Sequence, residues 1–164
     1  MNKPLTPNME MYLKTIYEIV GEGADPRVKA IAERLGVKMP SVTGALENLQ
    51  SRGLVAHDRY GDVRLTVRGR RVAREVKARN DLIHQFLLEV LRLPPGVASR
   101  DACVLEHVVS PVTLERLSLF LEFLHVCNRG ATETIAHFQQ WLECHEQDGT
   151  CGACKNHDGE RCAS

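Results

Sequence analysis

The chain has 164 residues, 43% of them apolar and 26% charged, with a formal net charge of zero. That length holds one domain or two small ones, and the apolar share supports a packed core rather than a disordered segment. No run of about 18 apolar residues occurs, which argues against a membrane-spanning helix. The opening "MNKPLTPNMEMYLK" has no signal-peptide core, so the expected compartment is the cytoplasm, where thiols stay reduced.

The neutral total conceals two oppositely charged halves. Residues 1–80 carry 15 Lys+Arg against 9 Asp+Glu, whereas residues 81–164 carry 6 against 12. A basic half fused to an acidic half suggests a DNA-binding module joined to something else, although surface charge also partitions by chance. All six cysteines lie beyond residue 100.

Residues 7–21 read as a helix, with Asn8 as a capping side chain and Met11, Ile16, Ile19 and Val20 as its apolar stripe. "GEGADP" is the loop after it. Val28, Ala30, Ile31 and Leu35 make a short amphipathic helix, and Gly36 stands where it ends, in the tight turn of a helix-turn-helix. A second helix covers 39–52, with Pro40 tolerated in its first turn. Its apolar side is Val42, Ala45, Leu46 and Leu49. Lys38, Met39, Ser41, Thr43, Gly44 and Asn48 are the candidate DNA-contacting residues of this helix, most of them small or hydrogen-bonding. That suits a helix lying in a major groove. An ordinary helical hairpin would share the pattern, but not the strands after it. Leu54, Val55, Val63 and Leu65 are strand-like, and "RYGD" between them is a hairpin turn. This is the wing of a winged helix, and Arg59, Arg64, Arg68, Arg70 and Arg71 surround it within reach of phosphates.

Thr66 then caps a long helix running to about Leu93. "LPPGVASRD" breaks the chain, and three further helices lie at about 97–109, 111–127 and 131–146. Within the first of them, Cys103, Glu106 and His107 sit at i, i+3 and i+4, the spacing of one helix face. Such a trio is a metal site, a catalytic site or a coincidence. The enzyme reading is weak: Cys103 and His107 as nucleophile and base lack a third orienting residue, an oxyanion hole and a Gly-rich phosphate loop.

The tail "GTCGACKNHDGERCAS" is polar, and with Cys144 it gives C-x6-C-x2-C-x7-C over Cys144, Cys151, Cys154 and Cys162. Cys127, His145 and His157 are further donors. Reduced thiols at this spacing suit a structural Zn(II) ion or an iron–sulfur (Fe–S) cluster, and otherwise the tail is disordered.

Four pieces taken in order carry a family resemblance: "MEMYLKTIYE", "IAERLGVKMPSVTGALENLQSRGLV", "VRLTVRGRRVA" and "CVLEHVVS". Within residues 9–126, about three quarters of the chain, the sequence resembles the diphtheria toxin repressor / manganese transport regulator family of metal-dependent transcriptional repressors. The resemblance implies a mainly α fold. A winged helix-turn-helix DNA-binding domain would occupy 1–75, an α-helical dimerisation and metal-binding domain 76–146, and the Cys-rich tail 147–164. It implies a homodimer on palindromic double-stranded operator DNA, with two recognition helices ~34 Å apart. It also implies that a divalent metal joins the N-terminal helix to the dimerisation domain, with Met11, Cys103, Glu106 and His107 as ligands.

The donor chemistry bears on the metal. A mixed N/O/S set suits Fe(II), Co(II), Ni(II) or Zn(II) better than Mn(II), and manganese-sensing members resemble this chain but have carboxylates where it has Met11 and Cys103. Fe(II) is therefore the expected signal, with Mn(II) the alternative and metal-uptake genes the expected targets. The family's second metal site is altered here, with Asn80 in place of a His and His84 in place of a Glu, leaving Asp81 and His84 as an i, i+3 candidate pair. An SH3-like domain found in longer members is not expected. A rival reading keeps DNA binding but places the sensor in the tail, as an Fe–S cluster or redox-active thiols.

Overall fold

In the computed structural model, which describes residues 5–57, 62–126 and 131–148, the chain divides into two compact units, 1–80 and 81–164. The described elements run in the order α1 (Pro7–Gly21), α2 (Val28–Leu35), α3 (Met39–Ser51), β1 (Val55–His57), β2 (Val63–Leu65), α4 (Val67–Glu89), α5 (Pro95–Leu105), α6 (Pro111–Val126) and α7 (Ala131–Asp148). The fold is mainly α, with a winged helix-turn-helix ahead of a helical domain. None of the described helices is long and apolar enough to cross a membrane.

The first unit is built by three helices and a hairpin sharing one core. α1 begins at Thr6, not at Asn8: the Thr6 side chain accepts from the Met9 N–H, and Pro7 occupies the first helical position, where its missing N–H costs nothing. Asn8 lies two positions past the cap, inside the first turn. Leu13 and Ile16 of α1, Ile31 of α2, and Val42, Leu46 and Leu49 of α3 are fully buried together with Leu54 and Val63. Each such side chain contributes about 1.5–3 kcal/mol by leaving water. Val20, placed on the apolar stripe by periodicity, is 42% exposed because α1 ends beside it. α2 stops at Gly36, whose φ of 64° is the left-handed conformation that glycine adopts without a Cβ penalty. The Val37 N–H then returns to the Ala32 carbonyl at 3.0 Å, closing the turn before α3.

β1 and β2 are antiparallel, pairing Val55 with Leu65, Ala56 with Arg64 and His57 with Val63. The two-residue period sends Val55 and Val63 into the core and leaves Ala56 and Arg64 exposed. The hairpin tip, with Arg59, falls outside the described residues. α4 starts on a capping network. Thr66 Oγ1 accepts from the Gly69 N–H at 3.0 Å and donates to the Gly53 carbonyl at 2.8 Å. The helix ends at Glu89, short of Leu93. Arg92 takes a positive φ of 54°, and Leu93 precedes a proline, which disfavours helical backbone there.

In the second unit, Ala98 and Ala102 of α5 are fully buried against Ile83 and Leu87 of α4, their small side chains allowing close packing. Phe86 of α4 meets Phe120 of α6 edge to face, with ring centroids 6.2 Å apart.

Candidate metal centre and nucleic-acid interface

The basic first unit presents α3 outward. Val42, Leu46 and Leu49 anchor it, so Lys38, Met39, Ser41, Gly44 and Asn48 face solvent and Thr43 is half-buried. Met39 is 55% exposed, unusual for a large apolar side chain and available to a partner. Thr43 and Asn48 are already engaged within the helix: the Thr43 hydroxyl donates to the Met39 carbonyl at 3.2 Å, and Asn48 Oδ1 accepts from Arg52 Nε at 3.3 Å. No side chain caps the helix start at Lys38; Pro40 brings no N–H there, and the Ser41 N–H bonds the Lys38 carbonyl at 3.0 Å. Gly44 sits in the middle of this exposed face, and a Cβ there would meet nothing within 4 Å. The protein's own packing therefore does not require glycine at 44. Arg64 is exposed on β2, and Arg68 reaches the Arg52 carbonyl at 3.4 Å.

The trio that spacing places on one helix face is divided by the end of α5. Cys103 lies in the last turn, Glu106 is the C-cap, and His107 stands just beyond it in a wound turn. Helix-like bonds continue through it, from the Glu106 N–H to the Ala102 carbonyl at 3.0 Å and from the His107 N–H to the Val104 carbonyl at 3.3 Å. The β-branched pair Val108–Val109 and the coming Pro111 stop the helix here rather than at 109. The Glu106 side chain is fully removed from solvent and that of His107 nearly so, with His107 Nε2 3.3 Å from Glu106 Oε1. Cys103 is half-buried with a free thiol. Among the described residues no three His, Cys, Asp or Glu side chains are gathered into a metal-holding cluster. Glu106 and His107 are thus paired, and Cys103 is not drawn in with them.

The donor types fit a transition metal. Carboxylate oxygen, imidazole nitrogen and thiolate or thioether sulfur are hard, borderline and soft ligands in turn. The electrostatics fit as well, because a carboxylate at the C-terminal end of α5 adds to the negative end of the helix dipole, and both favour a cation. Met11 is half-buried on α1 and packs at the edge of the first unit's core. Beside it, Glu10 Oε2 accepts from Arg79 Nη2 at 3.2 Å, tying α1 to α4 across 69 residues of sequence. Local pattern gives no sign of so distant a pairing.

Of the second candidate pair, Asp81 is exposed, and His84 Nε2 lies 3.2 Å from the Ser99 hydroxyl of α5. Cys144 lies in α7, while Cys127, Cys151, Cys154 and Cys162 fall outside the described residues.

Comparison with known proteins gives this geometry a context. The family model for the iron dependent repressor N-terminal DNA binding domain matches residues 4–63. That for the iron dependent repressor metal binding and dimerisation domain matches residues 66–134. An HTH-type transcriptional regulator of Methanocaldococcus jannaschii is 34% identical over 119 residues, covering 72% of this chain and 95% of the relative. The transcriptional regulator MntR of Escherichia coli O6:H1 is 36% identical over 111 residues, covering 68% of this chain and 71% of the relative. The iron-dependent repressor IdeR of Mycobacterium tuberculosis is 37% identical over 115 residues, covering 69% of this chain and 49% of the relative. The solved structure of the manganese regulator SloR superposes with a TM-score of 0.64 at 36% identity, over 73% of this chain and 55% of that one. The match spans about half the length of the manganese-regulator structures. Two matched domains in one order, together covering most of the chain, show that it belongs to the iron-dependent repressor family, metal-dependent transcriptional regulators with an N-terminal DNA-binding domain and a metal-binding dimerisation domain.

Proposed function

We propose that this chain is a repressor of metal-uptake genes activated by Fe(II), with Met11, Cys103, Glu106 and His107 as the ligands. The observation that carries this reading is Glu106. Its carboxylate is shut away from solvent at the negative end of α5, with an imidazole 3.3 Å away. A carboxylate and an imidazole held side by side there offer one hard and one borderline donor, and a cation is favoured at that helix end. When bound, the ion supplies a cross-link between residues distant in sequence. Met11 belongs to the first unit and the other three ligands to the second, so binding by all four favours one arrangement of the chain over the rest. The sulfur donors favour Fe(II) over Mn(II). A second ion would be held by Asp81 and His84, and the Ser99 hydroxyl 3.2 Å from His84 Nε2 would have to give way to it.

The DNA partner is double-stranded, met by the exposed face of α3, with Arg64 and Arg68 on the phosphates. A homodimer would carry two such helices and read a palindrome. The test is operator binding by fluorescence anisotropy without oxygen, using palindromic DNA from upstream of the protein's own gene cluster. Tightening at lower Fe(II) than Mn(II) is expected. Equal affinity with and without either metal would refute the reading.

A further inference from the structure

The outward line of α3 carries one long side chain, and it is acidic. Helical spacing puts Pro40, Gly44, Glu47 and Ser51 at i, i+4, i+7 and i+11, on the side opposite the buried Val42, Leu46 and Leu49, and all four are exposed. We propose that Glu47 is a specificity residue whose carboxylate accepts a hydrogen bond from the N4 amino group of a cytosine in the major groove of each operator half-site. The inference rests on the reading of α3 as the base-contacting helix, and adds which base one of its side chains selects.

Charge sets the position apart. Residues 1–80 are basic overall, and phosphates repel a carboxylate brought to DNA. Elsewhere in this unit acidic side chains stand within ion-pair distance of an arginine or lysine, as Glu10 does with Arg79 and Asp62 with Arg27. Among the described residues of the unit, only Glu18 and Glu47 have no such neighbour. Glu18 is half-buried on α1, whereas Glu47 is exposed on the side of α3 turned away from the core.

Shape gives the carboxylate room. Helical side chains lean toward the N-terminus, so Glu47 projects over the turn that holds Gly44. A Cβ at Gly44 would meet nothing within 4 Å, which leaves an open notch where a base edge can approach. The hydroxyls one turn before and one turn after Glu47 are turned back onto the helix. Thr43 donates to the Met39 carbonyl at 3.2 Å and Ser51 to the Asn48 carbonyl at 2.8 Å.

The base follows from the donor pattern. An ionised carboxylate only accepts. The major groove offers two amino donors, N4 of cytosine and N6 of adenine. Adenine sets its N7 acceptor beside the amino group, against the second carboxylate oxygen, whereas cytosine sets a C–H there. Thymine and guanine present acceptors at this point and are rejected.

The experiment selects sites from a randomised pool of double-stranded DNA, without oxygen and with Fe(II) or Mn(II) present. It uses the full chain as the natural protein, Glu47→Ala and Glu47→Gln. Glu47 is exposed, so neither variant disturbs the core. The natural protein should enrich cytosine at one position of each half-site, and thymine placed there should weaken binding about tenfold. Glu47→Ala should lose that preference, keep the others and bind non-specific DNA more tightly. Glu47→Gln should favour adenine at the same position, because an amide donates to N7 while accepting from N6. An Ala variant with the natural protein's preference at every position would overturn the proposal, as would tighter binding to all sequences alike. A natural protein that enriches no sequence would overturn the base-reading role of α3 itself, whereas failure of the Glu47 assignment alone leaves the natural protein's selection intact.

Discussion

Gly69 faces the Leu54 carbonyl at a separation that admits no side chain: a Cβ on residue 69 would lie 1.9 Å from the Leu54 oxygen and 2.8 Å from its carbonyl carbon. The contact sets the first turn of α4 directly on the backbone leading into β1. The same Leu54 oxygen accepts the Thr66 N–H at 3.1 Å. The obstacle is backbone rather than the end of a flexible side chain, so no rotamer change relieves it. Gly69→Ala should therefore destabilise the first unit by about 3 kcal/mol or more. Urea unfolding monitored by circular dichroism measures this, and a change below about 1 kcal/mol would contradict the packing.

Gly44 is the converse case. It occupies a helix interior, and a Cβ there meets nothing within 4 Å. Gly44→Ala should stabilise the fold by about 0.5–1 kcal/mol while weakening operator binding at least tenfold, because the added methyl stands on the face offered to DNA. The same unfolding curve and an anisotropy titration read the two effects. Stabilisation without loss of DNA affinity would remove Gly44 from the interface.

Thr66 holds α4 to the start of the hairpin through its hydroxyl, which accepts from Gly69 N–H and donates to the Gly53 carbonyl. Thr66→Ala should cost about 1 kcal/mol, and Thr66→Ser should recover most of it. An Ala variant as stable as the natural protein would show the cap to be dispensable.

The contrast between these positions shows what can be read before the fold is seen. The helix-turn-helix is legible because its signals are local: Gly36 ends α2, Pro40 opens α3, and Val42, Leu46 and Leu49 keep helical spacing. Thr66 as a cap and the two strands are legible for the same reason. Thr6 is also local, since Thr-Pro places the cap before Pro7, but the neighbouring Asn8 competes for the assignment on residue type alone. Gly69 is not legible. A glycine inside a helical pattern looks like a flaw until the Leu54 backbone, fifteen residues earlier, is brought against it. The pairing of Glu10 with Arg79 is hidden in the same way. For the metal site, spacing announces Cys103, Glu106 and His107 together, but the helix end at Leu105 pairs Glu106 with His107 and leaves Cys103 in the preceding turn. Helical periodicity does not report where a helix stops.

Glu106→Gln keeps the shape of the buried side chain and removes its charge. Metal affinity should fall at least tenfold, and the rise in Tm that metal produces should shrink in proportion. Thermal melts with and without Mn(II), the air-stable probe, decide this. An unchanged metal-induced shift would exclude Glu106 as a ligand.

Arg64 is exposed on β2 and is proposed to touch phosphate rather than a base. Arg64→Ala should weaken binding to all DNA sequences alike and lower the slope of log affinity against log salt by about one. Loss confined to the operator, with the slope unchanged, would make it a base-reading residue instead.

The central claim is that one ion held by Met11, Cys103, Glu106 and His107 sets the affinity for DNA. Linkage gives its most direct test, because two ligands that favour the same state must strengthen each other equally. The measurement is Fe(II) affinity by anaerobic competition with a chromophoric chelator, with and without saturating operator DNA, in the natural protein and in His107→Ala. The account predicts that operator tightens Fe(II) binding by the same factor by which Fe(II) tightens operator binding, and that His107→Ala removes both effects. Fe(II) affinity that ignores the operator in the natural protein would contradict it.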